Sequence, residues 1–461
     1  MSAPNASIRP PSFWFASLGE RVEPRAPLDG ESRFDVAIVG AGYSGLWTAY
    51  YINQHEPGCR IAIVEAEIAG FGASGRNGGW CAYYFSGIER FLADPKRRAS
   101  ALALQRAMFD AVAEVGSAAA AAGIDCDYAK GGLLIAGRSR PEVARLRKGF
   151  EELRGLGFGD RDFQWLEADA FAARARIDGA LGGIHSPHCA AIQPAKLARG
   201  LASYLESRGI AIFERSRVNA IERGAAATDR GRIRAEHVLR CTEGYTCRLR
   251  GVRRAILPLH SMMIATEPLP DSVWKEIGLD GRPTFADYRR TVTYGQRTAD
   301  DRLAFGTRGL YYYGSGIRDY FERDDPAFVH TRGALLELFP SLSGVEITHR
   351  WGGALGVTRD WTPFVQYDPE SGLGAIGGYA GNGVAATNLA GRTLAELVLR
   401  KTSERTSFPW VGRASRRWEP EPLRWLGAQG VRRMGELADA REKRGRAAGL
   451  FGSVFDLFAS H

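Results

Sequence analysis

Hydrophobic and polar positions near the amino terminus predict a strand, a helix and a second strand. Residues 34–39 form a short apolar run typical of a buried parallel strand, and residues 60–65 form another. Between them, residues 45–54 carry apolar side chains at helical spacing. Strand, helix and strand within about thirty residues match the size of one β–α–β unit. We therefore expect a parallel sheet in this part of the chain.

The next segments predict further helices and strands. An alanine-rich stretch without proline predicts a long helix over 97–122. Ser139 and Pro141 open another helix, because serine caps a helix and proline fits its first turn. A third helix begins at Gln193 and ends at Gly209. Strands are predicted over 210–214, 218–222 and 237–242.

Between about 245 and 350 the pattern changes to alternating polar and apolar residues, as in TVTYGQR and RLAFGTRG. This alternation is typical of antiparallel strands with one solvated face. After 350, short strands and glycines return, and 372–384 leads into a helical pattern. The pattern indicates a first domain built from separated pieces and a second, sheet-rich domain inserted between them.

Composition and charge narrow the class of protein. The chain has 461 residues, a net charge of +9 and 25% charged residues. No apolar run reaches the roughly 20 residues that span a bilayer, and the first residues do not resemble a signal peptide, which predicts a cytoplasmic protein. The arginines are scattered, which argues against nucleic-acid binding. The six cysteines form no C-x-x-C pair, so we expect buried thiols and no metal site.

The first glycine-rich stretch has the features of a phosphate-binding turn. Gly40, Gly42 and Gly45 fit G-x-G-x-x-G between a predicted strand and a predicted helix. They allow a tight turn, close approach of a pyrophosphate and close helix packing, respectively. Glu65 ends the second strand and is suited to bind ribose hydroxyls. The pattern predicts a dinucleotide, either NAD or FAD.

A second glycine-rich stretch, GFGASGRNGG at 70–79, follows the predicted ribose-binding strand. Glycines and small side chains allow many backbone amides to approach a flat ligand. A long, buried FAD needs such a surface more than NAD does. This stretch, together with VLRCTEGYT, RWGGALGVTRDWTPFV and GGYAGNGVAATNLAGRTLAELV, resembles the D-amino-acid-oxidase-like superfamily of FAD-dependent amine oxidoreductases. The resemblance spans most of 34–400 and is strongest to the branch with gamma-glutamylputrescine oxidase, glycine oxidase and sarcosine oxidase.

The resemblance implies an α/β fold with a Rossmann-like FAD-binding domain in discontinuous segments and a substrate domain with a large mixed or antiparallel β-sheet. Apart from the resemblance, residues 1–33 are rich in proline and polar residues, which predicts an extended amino-terminal arm on the surface. The arginine-rich carboxy-terminal segment predicts a basic helical tail over 401–461, and two domains are expected between arm and tail. The FAD-binding domain would comprise 34–80, 190–250 and 350–400, and the substrate domain 81–189 and 251–349.

The resemblance also implies noncovalent FAD, because the segment where some relatives carry a flavin-linking cysteine reads GALGVT here. The residues expected to contact the cofactor are Gly40, Ala41, Gly42, Tyr43, Ser44, Gly45, Glu65, Ala66, Gly72, Ala73, Ser74, Arg76, Asn77, Gly78, Gly79, Val218, Thr242, Gly244, Gly353, Asp360, Gly381, Asn382, Gly383 and Val384. The helix that starts near Gly381 would direct N–H groups towards the reduced flavin. Glu243 is unusual for the family, and we expect a structural role for it.

The implied reaction is oxidation of a C–N bond of a small primary or secondary amine or amino acid. Hydride passes to flavin N5, an imine forms and hydrolyses, and the electrons leave to O2 or another acceptor. Candidate catalytic residues are Arg76, His260, Trp351 and Arg308, and Tyr311–Tyr313 could line the pocket. Each has an alternative role in packing or in an ion pair. Several relatives carry a lysine over the flavin, but the matching strand here has Arg308, so a dehydrogenase is the alternative to an oxidase.

Two other functions remain at this point: a flavoprotein acting on a modified nucleotide in tRNA, and an interaction subunit that keeps FAD for structure. The tail carries Phe451, Phe455 and Phe458 on one helical face. This face is expected to pack on its own chain, with a membrane-surface or oligomer contact as the alternative.

Overall fold

The computed structural model describes residues 9–459. Residues 1–8 of the predicted arm and residues 460–461 of the predicted tail lie outside the described range. The strands are β1 (Gly30–Val39), β2 (Ile61–Val64), β3 (Trp80–Ala82), β4 (Leu133–Ala136), β5 (Gln164–Glu167), β6 (Gly182–Ser186), β7 (Cys189–Ala191), β8 (Ala211–Phe213), β9 (Val218–Glu222), β10 (Ala225–Thr228), β11 (Gly231–Arg240), β12 (Leu257–Thr266), β13 (Thr284–Asp287), β14 (Thr293–Arg297), β15 (Leu303–Leu310), β16 (Ile347–Val357), β17 (Phe364–Asp368) and β18 (Leu373–Gly377).

The α-helices are α1 (Phe13–Ala16), α2 (Tyr43–His55), α3 (Ile88–Leu92), α4 (Arg98–Ala121), α5 (Arg140–Gly155), α6 (Ala168–Ala172), α7 (Pro194–Ser207), α8 (Asp271–Ile277), α9 (Pro326–Leu338), α10 (Gly383–Val398), α11 (Leu423–Glu442) and α12 (Leu450–Ala459). The predicted helices over 45–54, 97–122 and 193–209 form to within a few residues as α2, α4 and α7. The predicted caps form: the side chains of Ser139 and Gln193 accept backbone N–H groups at the starts of α5 and α7.

The first sheet is mainly parallel. Its order is β17-β18-β11-β1-β2-β8. In addition, β10 pairs with β11, and β9 pairs with β10. β1 pairs parallel with both β2 and β11, and β17 pairs antiparallel with β18. Helices α2 and α10 pack closely, because a Cβ on Gly391 would lie 2.8 Å from the Thr48 backbone nitrogen. This is the Rossmann-like arrangement that the β–α–β pattern predicts.

The second sheet is mixed and mostly antiparallel, with the order β16-β12-β15-β14-β13-β4-β6-β5. Among the described strands of this sheet, only β13 and β4 pair in parallel. The prediction of an α/β fold with a large mixed or antiparallel sheet is confirmed. The predicted domain limit at 349/350 falls inside β16, which pairs with β12 along most of its length. The division into domains stays a prediction.

The amino-terminal segment packs against the body of the protein at Phe13–Phe15 and so differs from the extended surface arm that the sequence predicted. Phe13, Trp14 and Phe15 are all buried. Trp14 Nε1 donates to the Asn77 carbonyl at 2.7 Å, and Ser12 Oγ donates to the Gly75 carbonyl at 2.6 Å. These bonds fasten the segment to the second glycine-rich stretch. The sequence pattern did not predict this because the contacts join residues more than sixty positions apart.

Other features of the described residues bear on the function classes. All six cysteines carry free thiols. Among residues 9–459, no helix combines the length and apolar character needed to cross a membrane. Within the same range, no group of three or more His, Cys, Asp or Glu side chains is arranged to hold a metal ion.

We predict that Trp14→Ala lowers the free energy of unfolding by about 3 to 5 kcal/mol, because it leaves a cavity beside the glycine-rich stretch. Trp14→Phe keeps most of the apolar volume and loses the bond to Asn77, so a loss of about 1 kcal/mol is expected. Urea unfolding measures both values. Val329→Ala, at a side chain that is 71% exposed, is the control and should change the value by less than about 0.5 kcal/mol. Equal losses in Trp14→Ala and the control would contradict the docked position.

Candidate functional site

One cavity of about 780 Å³ brings together both glycine-rich stretches, the end of β2, the segment after β11 and the start of α10. Most residues predicted to contact the cofactor line it, and so does one predicted catalytic arginine from β15. The predicted residues on its wall are Gly40, Gly42, Tyr43, Ser44, Glu65, Ala66, Gly72, Ala73, Ser74, Arg76, Asn77, Gly78, Val218, Thr242, Gly244, Arg308, Gly353, Gly381, Asn382, Gly383 and Val384.

The first glycine-rich stretch needs glycine for steric reasons. Gly40 has a φ of +107°, and a Cβ there would lie 2.6 Å from the Cys241 carbonyl oxygen. A Cβ on Gly45 would lie 2.0 Å from the Gly40 carbonyl oxygen, so glycine lets α2 pack against its own strand. Gly42 is the N-cap of α2 and lies on the cavity wall. The start of α2 therefore presents bare backbone to the cavity, as an anion site requires.

Glu65 holds the first stretch from the end of β2. Its carboxylate accepts hydrogen bonds from the backbone N–H of Ala41 at 2.8 Å and of Glu67 at 3.0 Å. Burial raises the pKa of Glu65 to about 7, although both hydrogen bonds act in the opposite direction. The side chain lies on the cavity wall, where it can also accept hydroxyl donors from a ligand.

The second glycine-rich stretch lies directly on the first. Gly70 N–H donates to the Ala41 carbonyl at 2.9 Å, and Tyr43 N–H donates to Ser74 Oγ at 2.9 Å. Asn77 Nδ2 donates to the carbonyls of Ala73 and Ser74, which closes a compact turn. The two stretches thus form one continuous backbone surface.

Arg76 is the buried cation of this surface, with 2% of the residue exposed. Its Nε donates to the Phe71 carbonyl at 2.7 Å, and its Nη1 donates to the carbonyls of Gly352, at 3.1 Å, and Asp319. Nη2 is buried and has no hydrogen-bond partner among the described residues. A buried guanidinium on a cavity wall with an unused N–H group can bind an anionic or carbonyl ligand.

The loop before α10 is held by Glu243. Its carboxylate accepts backbone N–H groups of Gly356 at 3.1 Å, Gly378 at 2.8 Å and Tyr379 at 3.3 Å. Burial raises the pKa of Glu243 to about 7. Gly381 has a φ of +97°, and a Cβ there would lie 2.5 Å from Arg308 Nη1. These contacts support the structural role expected for Glu243 and set the start of α10 against the cavity.

Another part of the wall is an aromatic chamber that the sequence analysis missed. Tyr83 and Tyr84 stack with ring centroids 4.5 Å apart, and Tyr83 also meets Phe163 edge-on at 5.3 Å. Further aromatic and apolar side chains line the same cavity: Trp80, Phe85, Ile88, Leu92, Leu146, Leu153, Leu156, Phe158, Tyr288 and Tyr294. The run AYYF at 82–85, directly after the second glycine-rich stretch, is the signal that could have indicated this chamber.

Three residues that were predicted to contact the cofactor do not line the cavity: Ala41, Gly45 and Gly79. Ala41 is fully buried and donates its N–H to Glu65. A Cβ on Gly79 would lie 1.8 Å from Gln296 Nε2, so Gly79 meets another side chain there. Gly45 faces its own turn. These three residues shape the cradle but are absent from the residues that line the cavity.

Three other predicted site residues are placed away from the cavity wall and have structural partners. His260 is buried on β12, where its Nε2 accepts the Arg318 N–H at 3.2 Å, and burial lowers its pKa to about 4. Trp351 Nε1 donates to the Arg76 carbonyl at 2.8 Å, so it supports Arg76 from behind. Asp360 pairs with Arg413 and accepts Ser415 Oγ at 2.9 Å.

The tyrosine run at 311–313 also lies off the wall. Tyr311 is buried and its hydroxyl donates to Glu421 Oε1 at 2.6 Å, while Tyr313 is 62% exposed. Tyr312 meets His260 edge-on at 4.8 Å. These contacts favour the packing alternative for this run. Arg308, by contrast, lies on the wall and donates to the Ala380 carbonyl in the loop before α10.

Comparisons with known proteins agree with this geometry. A family model described as DAO, FAD dependent oxidoreductase, matches residues 35–397. The probable oxidoreductase OrdL of Rhizobium meliloti (strain 1021) is 32% identical over 410 residues, which covers 86% of this chain and 90% of that protein. The gamma-glutamylputrescine oxidoreductase of Escherichia coli (strain K12) is 30% identical over 404 residues, again covering 86% and 90%. The crystal structure of glycine oxidase from Geobacillus kaustophilus superposes with a TM-score of 0.65 at 22% identity, covering 80% of this chain and 96% of that one.

We predict a pH-dependent stability difference between the cofactor-free wild type and Glu243→Gln. The folded pKa of Glu243 lies above its ordinary value of 4.5, so its stabilising contribution is complete below about pH 4.5 and is lost as the pH rises through about 7. The wild type should therefore lose about 1 to 3 kcal/mol relative to the variant between about pH 5 and pH 8. Chemical unfolding at both pH values measures the change. A constant difference would show that Glu243 titrates normally.

Proposed function

Because this chain belongs to the DAO family of FAD-dependent oxidoreductases, we propose that it oxidises a carbon–nitrogen bond of a small amine or amino acid. One observation carries the proposal: a single cavity joins the backbone cradle of the two glycine-rich stretches to an aromatic chamber. The names of the relatives and structural neighbours support amines and amino acids as the substrate class.

The residues present fit FAD. Gly40 and Gly42 leave backbone bare at the start of α2, where the pyrophosphate would bind. Glu65 would accept the ribose hydroxyls, since its carboxylate lies on the wall and its pKa allows the ionised form near neutral pH. Ser74, Asn77 and Gly78 would lie along the flavin, and the start of α10 would lie at its other edge. The wall includes no cysteine in the segment 353–358, so we propose that FAD is held noncovalently.

FAD, when bound, accepts a hydride from the amine carbon and later delivers the two electrons to O2 or to another acceptor. The substrate loses the nitrogen-bound proton to solvent and becomes an imine. Water then adds to the imine and releases a carbonyl compound and an amine or ammonia. No step of this reaction requires a covalent bond between substrate and protein.

The aromatic chamber prepares the amine for this reaction. Water is excluded from this part of the wall by the rings of Tyr83, Tyr84, Phe158 and Phe163. An ammonium group placed there loses its hydration, which costs free energy. The chamber therefore lowers the pKa of the bound amine and favours the neutral form, whose carbon can release hydride. No histidine lines the cavity among the residues that the structure describes, so an imidazole base is not part of the proposal.

Arg76 is the residue we assign to charge stabilisation. Its guanidinium is buried and fixed by three backbone carbonyls, and its Nη2 has no hydrogen-bond partner within residues 9–459. A fixed positive charge of this kind stabilises negative charge that develops during a reaction and needs no reorganisation. The partial positive charge at the start of α10 would act in the same direction.

The tRNA alternative has no support among these relatives, and we do not propose it. The aromatic chamber instead suits a small, mostly apolar substrate.

We predict that the protein carries FAD and that at least one small amine or amino acid bleaches its visible absorbance under anaerobic conditions. A panel of primary amines, secondary amines and amino acids is the test, and the alcohol with the same carbon chain is the control for each amine. Bleaching by the amine and not by the alcohol is expected. If no member of the panel reduces the flavin while dithionite does, the proposed function is wrong.

We predict that Arg76→Met slows anaerobic flavin reduction by about tenfold or more, because it removes a buried positive charge. Arg76→Lys keeps the charge and should recover part of the rate. Stopped-flow absorbance gives the rates, and FAD content and thermal unfolding are measured beside them. Equal rates in the methionine and lysine variants, with equal losses of FAD, would indicate a purely structural role.

A further inference from the structure

The tail folds back onto the segment that connects β13 and β14. Asp439 of α11 accepts the backbone N–H groups of Arg290 and Thr291, each at 2.8 Å, and the Thr291 hydroxyl at 2.5 Å. Glu442, with 4% of its side chain exposed, pairs with Arg145 at 2.9 Å and with Arg290 at 2.8 Å. These bonds fix α11 on the body of the protein.

Helix α12 then packs against α11 and against Arg290. The Asp456 carboxylate accepts Arg290 Nε at 3.0 Å and Nη2 at 3.1 Å. A Cβ on Gly435 would lie 2.8 Å from the Phe455 ring, and a Cβ on Gly452 would lie 2.9 Å from Arg290 Nη2. Glycine at both positions permits these close approaches and sets where α12 lies.

Phe455, Asp456 and Ala459 line the same cavity as the cofactor cradle and the aromatic chamber. Their neighbours on this part of the wall are Tyr288, Arg290 and, from α5, Arg145. The Arg145 guanidinium lies 4.3 Å from the centre of the Tyr288 ring, and Glu442 joins Arg145 to Arg290. Helices α5, α11 and α12 therefore meet at one end of the chamber.

The part of this wall that α12 supplies lies outside the segment that the family match covers, because α12 follows residue 397. Its charges are largely paired: Arg290 is held by Asp456 and Glu442. The Phe455 ring is the large apolar group that α12 adds to the wall. A substrate group that reaches this end would contact the Phe455 ring, next to the ion pairs that Arg290 makes with Glu442 and Asp456.

We propose that α12 is a specificity-determining element, with Phe455 setting the length of the apolar group that a substrate carries away from its reacting C–N bond. Asp456 positions the ring through Arg290. The inference rests on the proposed function, because it assigns this end of the cavity to the substrate of that reaction. It predicts selection for an uncharged, apolar distal group of limited length.

The experiment uses the full-length, FAD-loaded protein and straight-chain aliphatic primary amines of increasing length. Half-saturation concentrations for anaerobic flavin reduction are compared among wild type, Phe455→Ala and Phe455→Trp. Phe458→Ala is the matched control, because Phe458 lies on the same helix but is 45% exposed and absent from the cavity wall. Phe455→Ala should lower the half-saturation concentration of the longest amines by about tenfold, and Phe455→Trp should raise it by about tenfold. Phe458→Ala should match the wild type.

A second readout needs no turnover: binding of straight-chain alcohols of the same lengths, followed by the change in the flavin absorbance spectrum. If no amine reduces the flavin, the proposed function fails, while the alcohol series still reports on Phe455. Asp456→Asn should shift the length limit in the same direction as Phe455→Ala, which provides a test if the tryptophan variant does not fold. The inference is overturned if the length profiles of the Phe455 and Asp456 variants equal that of Phe458→Ala, or if no probe of either series binds.

Discussion

Carboxylates that accept backbone N–H groups hold the loops around the cavity. Glu65 fastens the first glycine-rich stretch, and Glu243 fastens the loop before α10. Glu214, which is fully buried, accepts the Ala69 N–H at 2.8 Å and pairs with Arg25 and Arg199. Glycine-rich loops cannot pack through side chains, so their shape depends on where their backbone polar groups are satisfied. These three carboxylates therefore fix the backbone of the loops around the cavity.

Arg76 joins the two sheets at the cavity. Its Nε bonds the loop that follows β2, and its Nη1 bonds Gly352 in β16 of the second sheet. A Cβ on Gly353 would lie 2.9 Å from the Arg76 Cβ, so the glycine allows the two elements to touch. Trp351 holds the same residue, because its indole Nε1 donates to the Arg76 backbone carbonyl. The second glycine-rich stretch and the second sheet therefore meet at Arg76, and a shift of either would move the guanidinium.

Local patterns predicted the part of the site that local chemistry determines. Gly40, Gly42, Gly45 and Glu65 lie in one β–α–β unit, so spacing alone indicated their arrangement, and the family resemblance extended it to the second stretch and to α10. Contacts between distant segments were beyond this reasoning. The docking of Trp14 on Asn77 and the pairing of Asp360 with Arg413 depend on the complete fold. His260 and Trp351 lie near functional segments in sequence, but neither lines the cavity, because each is packed against other residues of the complete fold.

If Glu65 accepts the ribose hydroxyls as proposed, its raised pKa couples FAD binding to the pH of the solution. With a pKa of about 7 in the cofactor-free protein, a sizeable fraction of molecules carries this proton at neutral pH. The proposed hydroxyl donors from a ribose would favour the ionised carboxylate, so association would release that proton into the buffer. The heat of association would then vary with the ionisation enthalpy of the buffer, and acidification would loosen the cofactor without unfolding the chain.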